Sequence, residues 1–290
     1  MKKKIIIISI LVVFIIALLL IPTKIYQTIF NKEEPTPDNQ ESSVYQTLYV
    51  QNSDEYLVGI KVPVDTIEED EVCQKWNLLT KEVNKIPNGY TSPIDVNTSL
   101  ISHKTENNVL TLNLSEEFKN SSGRSTIECI AWNFCNDDVN EVVIKIEEEV
   151  INEINNYYYK NITKSLGVNL TYESAYLFEA DYITIVHHDI NVIKPVTYLF
   201  DSNNNIYDYT LKKIFNQDDE LNELVIANGY QYTFENDTFV INIDYSGTLT
   251  DEIINTFTET VKLNFNVNNL VINGYDTVLL ELSFKDITNS

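Results

Sequence analysis

The chain of 290 residues carries 43 acidic against 20 basic side chains, a net charge of −23. Such a surface repels phosphate backbones and anionic headgroups, so nucleic acid is not expected as a partner. A hydrophobic content of 43% is enough to bury one or two cores.

Residues 5–21 are an apolar run broken only by Ser9, with Lys2, Lys3 and Lys4 before it and Lys24 the first base after it. As a helix the run spans about 25 Å, the short end of what a bilayer core requires. The bias of positive charge keeps the N-terminus cytoplasmic and sends the rest of the chain across. A cleavable signal peptide is the competing reading. The segment Ile21-Pro22-Thr23-Lys24 offers no small-x-small site and no cysteine for lipid attachment, which favours a retained signal anchor. Residues 1–30 are therefore read as cytoplasmic stub and transmembrane anchor. Residues 31–43, polar and broken by Pro35 and Pro37, are read as a linker.

Strands are expected at 45–50 and 56–62, then a helix over 69–83 with Val72, Trp76, Leu79 and Val83 on one face. A Glu-Asn turn at 106 leads into an alternating strand through 114. Ser125 is expected to cap a helix carrying Ile127, Ile130, Ala131 and Phe134, and a strand follows at 140–144. The order then recurs. Strands are expected at 182–186 and 192–200 and a helix at 207–215. A Glu-Asn turn at 235 enters another strand, Thr250 caps a helix with Ile253, Phe257 and Val261, and a strand closes at 268–272. The recurrence divides the remainder into domains at 44–172 and 173–290, each β-β-α-β-β-α-β. Together with the anchor this is an α+β protein, a transmembrane helix followed by two tandem domains.

Gly89-Tyr90-Thr91-Ser92-Pro93-Ile94, the strand Thr98–Ser102, residues 108–114 and the following Ser115-Glu116-Glu117-Phe118 together resemble the GerM N-terminal-type (GerMN) domain family. Val62-Pro63-Val64 and the stretch 164–172 also match its usual pattern. Asp95 and Asn97 depart from it. The second copy lacks the glycine-threonine-serine-proline stretch and retains only Asn228-Gly229-Tyr230, so it reads as degenerate. The resemblance implies a membrane-tethered, extracytoplasmic protein of sporulation or germination that supports envelope assemblies, and no catalytic residues. Envelope proteins or further copies of the chain are the partners it implies. The alternatives are a cell-wall polymer-binding protein and a peptidoglycan-acting enzyme using acids such as Asp95 or Glu116.

The remaining chemistry is sparse. His187 and His188 share a strand, so their rings should face opposite ways, and an exposed strand end is expected rather than a metal pair. The acids at 68–71 suit a helix N-terminus without a metal, and 201–205 lacks the glycine and glutamate of a calcium loop. Nucleophile elbows, phosphate loops and small-molecule substrate motifs are not found, and no cofactor or metal is expected. Cys129 and Cys135 are too far apart on one helix to bridge, while a bridge from Cys73 to either stays open. Candidate interaction residues are Gly89, Tyr90, Ser92 and Pro93 with the cluster Tyr157, Tyr158 and Tyr159, which serves either as a hinge between the copies or as a partner surface.

Overall fold

A computed structural model describes residues 44–68, 70–174 and 177–284. The expected anchor and linker lie outside the described residues, and no helix among those described is long and apolar enough to cross a membrane. The described residues belong to one compact unit.

The chain opens with an antiparallel hairpin, β1 (Val44–Asn52) and β2 (Leu57–Val64). Its turn is held by the Asn52 carboxamide, whose Oδ1 accepts from the Asp54 and Tyr56 amides at 3.0 and 2.9 Å. Helix α1 (Glu71–Thr80) follows, capped by Asp70, whose Oδ1 accepts from the Cys73 amide at 3.0 Å. It buries Trp76, Leu78 and Leu79 and stops short of the expected end. There the amides of Lys81 and Glu82 both turn back onto the Asn77 carbonyl, leaving Val83 in a separate 3-10 turn.

The short β3 (Tyr90–Thr91) adds to the free edge of β1. Strands β4 (Leu100–Glu106) and β5 (Val109–Leu114) form a hairpin whose turn residues Asn107 and Asn108 both have positive φ, 51° and 63°. That is the left-handed pair a tight two-residue hairpin demands, and asparagine tolerates it. Helix α2 (Gly123–Phe134) returns the chain to β6 (Glu141–Ile146), parallel to β5, and β7 (Glu149–Val150) closes a four-stranded sheet in the order β4-β5-β6-β7. Helix α2 begins two residues before the expected cap. Ser122, not Ser125, holds the extended dihedrals, and Gly123 starts the helix. The small hairpin of β8 (Glu153–Ile154) and β9 (Tyr157–Tyr158) packs on this turn, where a Cβ on Gly123 would stand in van der Waals contact with Tyr157 Cβ at 3.4 Å.

The second half repeats the plan. After β10 (Thr171–Tyr172) come β11 (Ala180–His188), β12 (Val192–Asp201), α3 (Ile206–Phe215), α4 (Asp219–Asn228), β13 (Tyr230–Glu235), β14 (Thr238–Ile243), α5 (Asp251–Asn264), β15 (Asn269–Asn273) and β16 (Val278–Ser283). The sheet β13-β14-β15-β16 has the order of β4-β5-β6-β7, with β14 and β15 parallel around α5. Thr250 caps α5 as expected, its side chain accepting from the Ile253 amide. The turn Asn236-Asp237 mirrors Asn107-Asn108 in φ, 46° and 62°. The equivalence reaches single bonds. The Asn108 carbonyl accepts from Asn140 and Glu141, and the Asp237 carbonyl from Asn268 and Asn269. The sequence reading lacks helix α4 and the closing strands β7 and β16.

The two halves share one sheet. Strand β12 pairs with β11 along one edge, while its other edge meets β2 through Val192↔Ile60 and Ile193↔Gly59 and then β10. Gly59 makes this approach feasible, since a Cβ there would sit 2.9 Å from the Tyr49 ring and 3.2 Å from Ile193 Cβ. Two apolar cores result. Trp76, Phe118 and Leu110 anchor the first, and Phe215, Phe239 and Phe257 the second, with Val186 of β11 belonging to the first.

Candidate functional site

A cleft of about 760 Å³ opens where the two repeats meet. Its first-repeat wall comes from β1, the end of α2 and the turn around Lys164, and its second-repeat wall from β11, β12 and α5. The floor is aromatic, with the Tyr49 and Trp132 rings 5.3 Å apart at 52°. Both rings are buried, and Trp132 Nε1 has no hydrogen-bond partner.

Three lysines line the cleft in a chain with few cations. Lys262 Nζ reaches Asp137 Oδ2 across the junction at 2.7 Å. Lys75 Nζ meets Glu71 at 2.6 Å and the Asn133 carbonyl at 3.0 Å. Lys164 has no carboxylate partner among the described residues; its ammonium lies 4.9 Å over the Trp132 ring. Burial holds the pKa of Lys164 below its ordinary value, against the opposing field of Glu259. Burial also pushes the Cys135 thiol up to about 11, so it is not an activated nucleophile. The lining thus combines an aromatic floor with lysines and with the carboxylates of Asp137 and Glu259.

A smaller cavity of about 470 Å³ lies beside His187, His188, Gln217 and Glu252. The two histidines do face different partners. His187 Nε2 lies 3.1 Å from the Tyr198 hydroxyl, and His188 Nε2 lies 3.3 Å from Glu259. They are not at an exposed strand end: the His188 side chain is 10% exposed, because α5 packs along β11. The run 201–205 is a turn and a cap, with Asp201 Oδ1 accepting from the Asn203 amide and Asn205 capping α3.

With this geometry in view, residues 47–152 match a family model described as Germane, sporulation and spore germination. These residues form a Germane domain. The tandem GerMN domains of the sporulation protein GerM from Bacillus subtilis share the fold at 14% identity and a TM-score of 0.66, over 83% of this chain and 98% of that one. The first GerMN domain of the same protein aligns at 16% identity with a TM-score of 0.39, covering 42% of this chain and 99% of that one. A putative lipoprotein from Clostridium perfringens aligns at 18% identity with a TM-score of 0.27, covering 42% and 89%. No curated protein sequence matches the chain. The second repeat thus keeps the GerMN plan as a degenerate copy outside the matched residues.

Within the Germane domain the signature stretch forms a turn and a short strand bonded to its neighbours. Gly89 has φ of 93°, Tyr90 and Thr91 pair with the end of β1, and Ser92 Oγ accepts from the Ile94 amide at 3.2 Å. The Pro93 carbonyl accepts from the Ser122 amide and from Thr126 Oγ1 at 3.1 and 2.9 Å, pinning the first turn of α2. The tyrosine cluster meets the same turn from the other side. Tyr157 packs on Gly123, buried Tyr159 donates to the Ile151 carbonyl at 3.0 Å, and Tyr158 stays exposed. The two candidate groups therefore converge on α2, and neither lines the junction cleft. Tyr159 belongs to the first core, not to a hinge between the copies. Asp95 and Glu116 serve local structure, the one accepting from the Asn97 amide in a turn and the other paired with Lys119 at 2.7 Å.

The sequence reading missed Trp132, Asn133, Lys164 and Lys262. A signal for part of this set exists. Trp132-Asn133-Phe134 and Leu263-Asn264-Phe265 are the same helix end in the two copies. The cysteines are all free: Cys129 and Cys135 buried, Cys73 partly so.

Proposed function

We propose that this chain is a non-enzymatic GerM-type interaction protein, held at the cell membrane by residues 5–21 and presenting its tandem repeats outside the cytoplasm. The family match of residues 47–152, with its description of sporulation and spore germination, supports that setting. The observation that carries the interaction reading is the joining of two repeats through the β12–β2 pairing, which holds two separate four-stranded sheets on one body. Each sheet ends on an equivalent edge strand, β4 and β13, whose outer sides pair with no strand among the described residues. Open edges are ready templates for a partner strand.

The test is photo-crosslinking in membranes carrying the full chain, with the reactive side chain at Ile101 on β4 or Phe234 on β13, both exposed. Discrete adducts to an envelope protein or a second copy support the proposal; their absence from both positions overturns it. Alkaline carbonate extraction tests the tether, which requires the intact chain to stay with the membrane and a chain lacking residues 5–21 to leave it.

A second reading, binding of cell-wall polymer, is favoured by the junction cleft with its lysines and unpartnered Trp132 Nε1. Co-sedimentation with purified peptidoglycan, lost on Lys164→Ala, would favour it over strand pairing.

A further inference from the structure

The first turn of α1 and strand β4 bring together three side chains that no part of the interaction reading uses. Asp70, Cys73 and His103 each offer one ligand atom, and these atoms all lie within 4.8 Å of one another. We propose that they form a binding site for a divalent transition-metal ion of the zinc class, tying α1 to β4.

The ligands come from two elements that chain order separates. Asp70 and Cys73 stand one helical turn apart, and the Asp70 cap bond to the Cys73 amide fixes their spacing. His103 arrives from the neighbouring strand, its Nε2 2.9 Å from Asp70 Oδ2. The chain has only three cysteines and three histidines, yet one of each meets a carboxylate here. Cys73 is also the cysteine that is not fully buried, and it is free of any disulfide.

Geometry and donor type select the ion. Bond lengths to zinc of about 2.0–2.2 Å for N and O and about 2.3 Å for S place tetrahedral ligand atoms about 3.3–3.7 Å apart. Widening the His–Asp contact by a few tenths of an ångström and closing the thiol inward by about 1 Å at most meets that requirement by rotamer adjustment. An imidazole–thiolate–carboxylate set is too soft for Ca²⁺ or Mg²⁺, which take all-oxygen shells, and suits Zn²⁺ or Co²⁺. Asp70 is exposed, so a fourth position faces solvent. Neighbouring Glu68 and Glu71 add a negative field that favours a cation over an anion.

The experiment uses the full chain in detergent, purified without a polyhistidine tag and titrated with zinc chloride by calorimetry and with cobalt chloride by absorption. The proposal expects one ion per chain and a thiolate-to-Co²⁺ charge-transfer band in the near ultraviolet. Cys73→Ser should abolish the band, and His103→Gln should weaken Zn²⁺ binding at least tenfold. A double His187→Gln, His188→Gln variant should bind as the parent does. Circular dichroism of each metal-free variant should match the parent, which separates lost binding from lost folding. No saturable binding, or binding indifferent to both Cys73→Ser and His103→Gln, overturns the site.

Discussion

Asn133→Ala should be among the most damaging single substitutions in the first repeat, and the structure gives the size. The Asn133 carboxamide lies in the core beside the open edge of β1. Its Oδ1 accepts from the Tyr49 amide at 2.9 Å, and its Nδ2 donates to the Tyr49 carbonyl at 2.8 Å and the Cys129 carbonyl at 2.9 Å. Truncation strands the buried Tyr49 amide, at about 1–3 kcal/mol, and leaves the Tyr49 carbonyl with only the weak Cys129 thiol donor at 3.3 Å. The space vacated admits about one water that would recover part of this, so the expected loss is about 2–4 kcal/mol. Asn133→Leu fills that space with carbon, excludes the water and should cost at least as much. Asn264→Ala removes the equivalent bonds to Thr184, at 3.2 Å to its amide and 2.7 Å to its carbonyl, from a half-buried position. Solvent can replace them, and about 1–2 kcal/mol is expected. Urea denaturation of residues 44–290 distinguishes these cases, because both tryptophans, Trp76 and Trp132, lie in the first core while circular dichroism reads both repeats. A loss below about 1 kcal/mol for Asn133→Ala, or a larger loss for Asn264→Ala, would refute the argument.

Gly59→Val should separate the repeats, since its branched side chain would drive into the Tyr49 ring and Ile193; the expected readout is a fluorescence transition that no longer coincides with that of circular dichroism. Gly167→Ala should cost about 1–2 kcal/mol in a thermal melt, because its φ is 78° and a Cβ would lie 3.1 Å from Thr197 Oγ1, whereas Gly89→Ala, strained in φ but open in space, should cost less. His187 is held below its ordinary 6.5 by burial, against a hydrogen bond with Gln217. The unfolded chain therefore binds the proton first as pH falls through 6.5, and stability should drop from there down to the lower folded pKa, by at most about 1.4 kcal/mol per pH unit. His187→Gln should remove that portion of the acid limb in urea midpoints measured between pH 7 and 5.

The α+β plan was legible because its signals are periodic. The alternation at 109–114 and 238–243, and the apolar faces of α1, α2 and α5, are short-range patterns that each element writes into its own sequence. Thr250 was legible as a cap for the same reason, while Ser125 misled. A serine with a helical stripe after it looks the same whether it caps the helix or, as here, lies inside a helix that Ser122 precedes. Helix α4 was not legible because only Leu221 and Val225 of it are buried, too few to draw a stripe. The junction cleft was opaque for a different reason. Its walls come from residues near 49, 132, 164 and 262, and nothing local to any of them records the others. The converging ligands of Asp70, Cys73 and His103 belong to the same class. Each has an ordinary local account, as cap, helix residue or strand residue, and only the packing of α1 against β4 joins them.

One device recurs wherever a strand runs out of partners. Asn133 supplies a donor and an acceptor to Tyr49 on β1, Asn264 to Thr184 on β11, and Asn169 to Leu57 on β2. A carboxamide carries the same N–H and C=O pair as a peptide unit, so one asparagine stands in for one residue of a missing strand. At β1 and β11 this closes an edge by attaching a helix to it, and Thr260 and Thr256 extend the seal on β11 through the amides of Val186 and His188. At the junction it does the opposite. Pro195 has no amide to offer, so β12 cannot continue its ladder with β2 beyond the two pairs at Val192 and Ile193. Asn169 enters that gap, bonding Leu57 at 2.8 and 2.7 Å and the Pro195 carbonyl at 2.7 Å. Two strand pairs alone would make a weak hinge. With a buried carboxamide bridging the next position, the two repeats instead meet as parts of one sheet, and among the described residues the outer edges of β4 and β13 stay without a partner strand.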